Sequence, residues 1–150
     1  MTVEIVKIEE GNIAIKDAYQ KAYNKAVLNF QNHLLEQPQF DLPVFHDFAP
    51  GVYIRTMYAP AGINVIGKMH KTEHFNICLS GSAKVMINGE IKTIKAPSLF
   101  VSKANTKKLF NVIEDMVYLT IHPTNETDTD VLEDVLTHDL KEEERILLGG

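Results

Sequence analysis

Residues 67–81 read GKMHKTEHFNICLSG, and the way this stretch folds decides how the whole chain is understood. If 68–79 is extended, side chains alternate between faces: Lys68, His70, Thr72, His74, Asn76 and Cys78 share one, while Met69, Glu73, Phe75, Ile77 and Leu79 share the other. With protein on both sides, the even-numbered face makes a polar interior, an uncommon filler for a core. A flat strand sets residues four apart about 13 Å from each other, too far for His70 and His74 to share a metal ion. A bend at Lys71-Thr72 brings them together, and a site built on these two histidines depends on that bend.

From about 43 to 122 the chain is a series of short β-rich runs: 43–48, 51–58, 63–70, 73–80, 82–88, 90–95, 98–102, 107–113 and 115–122. Turn residues separate them, among them Pro60-Ala61-Gly62, Ser80-Gly81 and Ala96-Pro97. Asn88-Gly89 between Met86-Ile87 and Glu90-Ile91 signals a two-residue hairpin, because a type I′ turn needs positive φ twice. Strand–turn units at roughly 8–12-residue spacing, with no helical pattern between them, predict an antiparallel sandwich or barrel.

Upstream, Tyr19, Ala22, Tyr23, Ala26, Val27, Phe30 and Leu34 recur at spacings of three and four, which predicts an amphipathic helix over 16–36 that stops before Pro38. Residues 3–15 are expected to form one short strand. Beyond Pro123 the chain turns acidic and polar, with a short helix expected at 131–137, Asp130 as its N-cap and Glu133 completing a capping box. The end, KEEERILLGG, is expected to fray or to dock through Ile146, Leu147 and Leu148. The chain thus divides into an N-terminal strand and helix (1–42), a β-barrel (43–124) and an acidic tail with a short helix (125–150).

Composition bounds the function. The length of 150 residues suits one domain, and 45% apolar with 23% charged residues suits a folded one. The single cysteine, Cys78, excludes an internal disulfide framework and a cysteine-rich zinc module. A net charge of −5 argues against a general nucleic-acid or anionic-membrane binder. No run approaches the ~20 apolar residues of a membrane span. The opening MTVEIVKIEEGN lacks the features of a signal peptide, so a cytoplasmic location is expected and the sequon at Asn125 carries no meaning. What remains with chemistry is six histidines: His33, His46, His70, His74, His122 and His138.

Around His70 and His74 the sequence resembles the cupins. Their first motif, G-x5-H-x-H-x3,4-E-x6-G, supplies two histidines and a glutamate to a divalent metal inside a small jelly-roll barrel. Counting back from Gly81, the glutamate position falls on His74, the second histidine on His70 and the first on Lys68. The second motif, G-x5-P-x-G-x2-H-x3-N, is degraded: Pro97 stands where its turn opens, and Lys107 or Lys108 stands near its histidine. The resemblance implies a single cupin-type jelly-roll barrel, here with an N-terminal amphipathic helix and a short C-terminal helix. The ensemble GK-x-H-x2-EH-x-N, AP-x-x-F-V-S and IHPT-x-ET-D, over roughly residues 50–134, is also similar to small cupin-like proteins encoded by tailed phages and prophages. That similarity implies a host-cytoplasmic or virion-associated setting and phage protein partners, but no reaction.

Imidazole at two of the four ligand positions favours a divalent transition metal (Zn, Fe, Ni or Mn) over Mg or Ca. The candidate third ligand is His122, which shares a strand face with Tyr118 and Thr120 in VYLTIH. Thr72, Glu73, Asn76 and Tyr118 are candidate pocket-lining residues, although Glu73 falls on the outward parity and hydrogen-bonded core groups are the default reading of Thr72 and Asn76. Cys78 reads as inert filler, and Lys103, Lys107 and Lys108 as a solvated run that blunts a strand edge. His33, His46 and His138 have no partner spacing and read as structural. Two functions compete. One is a metal-binding cupin-like protein with a small-molecule or water-occupied site, its reaction unassigned. The other is a non-enzymatic phage-encoded accessory protein that uses the barrel as an assembly module. A homo-oligomer, most simply a dimer, suits either, since cupins commonly pair through sheet edges.

Overall fold

Two long strands organise the molecule: β4 (His74–Ile87) and β7 (Lys108–Pro123) pair antiparallel over most of their length. In the computed structural model, which describes residues 2–149 and their side chains from residue 15, each of them joins two runs that the sequence suggested were separate. The joint in β4 lies at Ser80–Ser82, where the β4–β7 register shifts. Gly81 sits there at φ +83, and a Cβ on it would lie 2.1 Å from the Asp115 carbonyl oxygen. Only glycine lets the two backbones come this close in that conformation.

The shift divides the sheet into two leaves. Towards one end, β1 (Val44–Ala49), β2 (Val52–Ala59), β7, β4 and β6 (Ser98–Ser102) lie side by side; towards the other, β3 (Asn64–Ile66), β7, β4 and β5 (Glu90–Lys95) do. The leaves bury a shared core that includes Met57, Cys78, Ala83, Val85, Phe110, Val112 and Tyr118. The sheet path ends at β1 and at β5 without closing, so the expected barrel is an open sheet folded over one core. The Asn88-Gly89 hairpin forms as expected: Ile87 faces Glu90, with φ of 50 at Asn88 and 83 at Gly89.

The helices depart further from expectation. A single helix, α1, spans Thr2–Leu35, so residues 3–15 are helical rather than a strand. No strand pairs with that segment, and extending an existing helix gains one hydrogen bond per residue fixed, whereas a lone strand gains none. Of the predicted stripe only Val27 is buried, while Tyr19, Ala22, Ala26 and Phe30 stay exposed; the helix is covered instead through Val27 and its neighbours Leu28 and Gln31. Two helices, not one, follow the sheet. In α2 (Thr129–Leu136) the N-cap is Asp128, whose carboxylate accepts from the Asp130 amide, so the helix starts two residues earlier than the capping box suggested. Leu132 and Leu136 seat it on Tyr53. The tail is helical and docked: α3 (Leu140–Leu148) is capped by Asp139 and closed by Gly149 at φ 72, and the Asn24 amide of α1 donates to Leu147 O at 2.8 Å. Among the described residues, no helix is long and apolar enough to cross a membrane.

Candidate metal centre and ligand pocket

Register decides which side chains meet. In the leaf formed by β1, β2, β7, β4 and β6, inward residues line up in rows across the strands. Tyr53 faces His122, and Phe75 faces Ile121, which sets His74 beside His122; His74 in turn faces Ser102. The next row holds Arg55, Thr120, Asn76 and Phe100, and the one after it Met57, Tyr118, Cys78 and Ser98. The polar even face of β4 is therefore interior, and His74, Asn76 and Cys78 are all buried.

His70 reaches the same place by a different route. It lies before β4, and its backbone bridges to Thr137 beyond α2. The chain bends between His70 and His74, so the flat-strand separation does not apply. The ring centroids are 4.3 Å apart for His70 and His74, 5.0 Å for His70 and His122, and 4.8 Å for His74 and His122. Tyr53 stacks on His122 and accepts or donates a 2.6 Å hydrogen bond at His46 Nδ1, so His46 buttresses the cluster from β1.

Each ring has a distinct set of partners. His74 Nδ1 lies 3.0 Å from the Thr72 carbonyl; with the proton on Nδ1, the Nε2 lone pair faces inward. His122 Nε2 lies 2.9 Å from Thr120 Oγ1. The Nδ1 atoms of His70 and His122 are buried and have no hydrogen-bond partner among the described residues. Burial, followed by the neighbouring imidazoles and then the Lys108 and Arg55 charges, pulls His70 down to about 2; the same causes bring His122 to about 3. His74 is lowered too, chiefly by burial. All three are neutral at pH 7, the form in which imidazole binds a metal.

Lys108 enters this site, contrary to the solvated role expected of it. It is 4% exposed, and its ammonium donates to Ser102 Oγ (2.8 Å) and Asn76 Oδ1 (2.9 Å) and lies 3.4 Å from His74 Nε2. Burial lowers its pKa to about 8. Its neighbour Lys107 is equally buried and paired with Glu143 at 2.8 Å, and of the run only Lys103 is exposed. Alternation along β7 turns Lys108 into the sheet interior, and Glu143 comes from a helix that the sequence pattern left unassigned.

The other candidates separate. Asn76 is 0% exposed and accepts from the Tyr118 hydroxyl at 2.6 Å, so both are hydrogen-bonded core groups beside the histidines. Thr72 is exposed and acts through its carbonyl, while Glu73 is exposed at the rim of an open cavity of about 380 Å³. His74 and His122 line that cavity together with Val52, Phe75, Val101 and Ile121. His33 is exposed, and the His138 ring pairs with Asn105 rather than with the three clustered rings.

Three neutral imidazoles are a donor set that suits a transition metal, and two of them have a buried nitrogen with no partner among the described residues. Among the described residues, however, no three His, Cys, Asp or Glu side chains are already arranged as a metal-binding group. The rings lie partly face to face, His70 and His122 only 15° from parallel.

No family model and no curated protein matches the sequence. Solved structures do match the fold. KdgF from Halomonas sp. is 13% identical over 60% of this chain and 87% of its own, with a TM-score of 0.50. A putative ethanolamine utilization protein Q from Salmonella typhimurium is 11% identical over 58% and 72%, also at 0.50. A cupin superfamily protein from Desulfitobacterium hafniense is 12% identical over 60% and 84%, at 0.49. The last of these is described as a cupin superfamily protein, and at 11–13% identity the likeness of all three is one of fold alone.

Proposed function

We propose that His70, His74 and His122 hold a divalent transition metal (Zn, Fe, Ni or Mn) and that the adjoining cavity admits a small molecule or water to it. The observation that carries this reading is the convergence of three neutral imidazole rings within 5.0 Å of one another, two of them with a buried nitrogen that no group among the described residues satisfies. Buried polar atoms of this kind are rare unless something else completes them. A metal held by three imidazoles supplies Lewis acidity and keeps open positions for water or ligand.

The chain's own groups prepare the site. The Thr72 carbonyl orients His74 and Thr120 orients His122, the outer hydrogen bonds that metal-binding imidazoles generally have, and Tyr53, bonded to His46, stacks on His122 and walls one side. Val52, Phe75, Val101 and Ile121 give the cavity apolar walls, so a ligand of modest size with one donor group fits it best.

The same leaf presents an apolar outer face, with Phe45, Tyr58, Phe75, Leu79, Leu99 and Val101 all exposed. Phe75 and Val101 also line the cavity, so a second copy of the chain seated on this face walls the pocket mouth, and a homodimer is the partner we assign. Light scattering of wild type against Leu99→Lys tests the dimer: a wild-type monomer refutes it.

Metal analysis of protein purified without a histidine tag tests the site. One metal per chain, lost in His70→Ala and His74→Ala, is expected. No stoichiometric metal refutes the site, and the accessory role, phage-encoded or otherwise, then takes its place.

A further inference from the structure

The segment that carries His70 belongs to no strand, so the sheet ladder does not hold it. Its backbone is tied elsewhere. Met69 O accepts from the His138 amide (2.9 Å), the Lys71 amide donates to Leu136 O (2.8 Å), and His70 O accepts from the Asn105 amide (2.9 Å). The amide immediately before His70, that of Met69, donates to a side chain: Glu143 Oε1 of α3, at 2.7 Å.

Glu143 is 0% exposed. Its other oxygen accepts from Lys107 Nζ at 2.8 Å, with Gln31 Nε2 of α1 at 3.5 Å. One carboxylate therefore gathers α1, α3, the His70 segment and the turn before β7. That turn leads directly into Lys108, which touches His74.

A buried ion pair of this kind adds little net stability over apolar side chains of similar volume. An apolar pair could not accept the Met69 amide, and that is what the carboxylate does besides pairing. We propose that Glu143 is a positioning residue for the histidine cluster: it anchors the loop that presents His70 to His74 and His122, which makes α3 part of the site's construction. The functional side of this inference rests on the proposed metal site; the positional side does not.

Two double variants of the full chain separate the roles. Glu143→Gln/Lys107→Met removes both buried charges but keeps an acceptor for the Met69 amide. Glu143→Leu/Lys107→Met removes the charges and the acceptor. The readouts are the His70 ring resonance in metal-free protein and zinc affinity by competition with a chromophoric chelator. The Leu variant is expected to shift and broaden the His70 resonance and to lower zinc affinity about 10–100-fold, the usual effect of losing an outer partner of a ligand, while the Gln variant stays within about threefold of wild type. Where the Leu variant does not fold, Glu143→Asp takes its place, since it keeps the charge and withdraws the acceptor by one methylene. The same shift and loss are expected of it. An unmoved His70 resonance in the acceptor-deficient variant, or equal changes in the acceptor-keeping one, overturns the proposal. Wild type that binds no zinc overturns the metal reading alone, and the resonance still decides the positioning role.

Discussion

Acidifying the metal-free protein from pH 7 to pH 5 should cost it about 4 kcal/mol of folding stability through two histidines alone. His70 and His122 are held far below their ordinary range, at about 2 and about 3, because their charged forms are desolvated and face other cationic groups. The folded state therefore takes up no proton on either ring at pH 5, whereas the unfolded chain binds one on each as pH falls below about 6.5. Protons bound only by the unfolded state drive unfolding, so stability falls as pH falls, by about 1.4 kcal/mol per pH unit and per ring. Over the roughly 1.5 units between 6.5 and 5 this gives about 2 kcal/mol for each histidine, and His74 adds in the same direction. A loss of that size is a large part of the roughly 5–15 kcal/mol of a typical domain. Urea titrations at pH 7, 6 and 5 with chelator present measure it directly, and the His70→Gln/His122→Gln variant should lose most of the slope. A wild-type loss below about 1 kcal/mol, or an equal loss in the variant, refutes the claim that these rings are buried and neutral.

At alkaline pH the sign reverses through Lys108. Its folded pKa of about 8 lies below the ordinary 10.5, so its buried charge burdens the fold below pH 8 and that burden lifts as pH rises. Wild type should gain about 2 kcal/mol relative to Lys108→Met between pH 8 and 9.5 in the same urea titrations, and parallel profiles contradict the assignment. Glu143→Ala strands the Lys107 ammonium in the interior and should cost about 3–5 kcal/mol by chemical denaturation, most of it recovered in Glu143→Ala/Lys107→Met. Gly81→Ala drives a Cβ into the Asp115 backbone at positive φ, so it should lower the thermal midpoint by at least 10 °C or prevent folding; a wild-type midpoint refutes the close approach.

Much of the sheet was legible because alternation has a period of two whatever the tertiary context. The even face of 74–78 and the face shared by Tyr118, Thr120 and His122 turned inward as read, and Asn88-Gly89 made its hairpin. Alternation does not reveal which strands adjoin, so the rows that unite Tyr53, His122 and His74 appear only with the β2–β7–β4 pairing. Lys107 and Lys108 looked solvated because lysine usually is, and their burial depends on partners at Glu143, Asn76 and Ser102. His46 seemed isolated for a similar reason, since its contact is Tyr53 on the adjacent strand. The run 3–15, rich in β-branched residues, carried a local strand preference that the continuous helix α1 overrode.

Zinc titration of untagged, chelator-treated protein, followed by calorimetry, tests the central claim most directly. The account predicts saturation at one zinc per chain in wild type and loss of that binding in His74→Ala and in His122→Ala, both still folded. Wild type that takes up no zinc, or variants that bind it as wild type does, contradicts it.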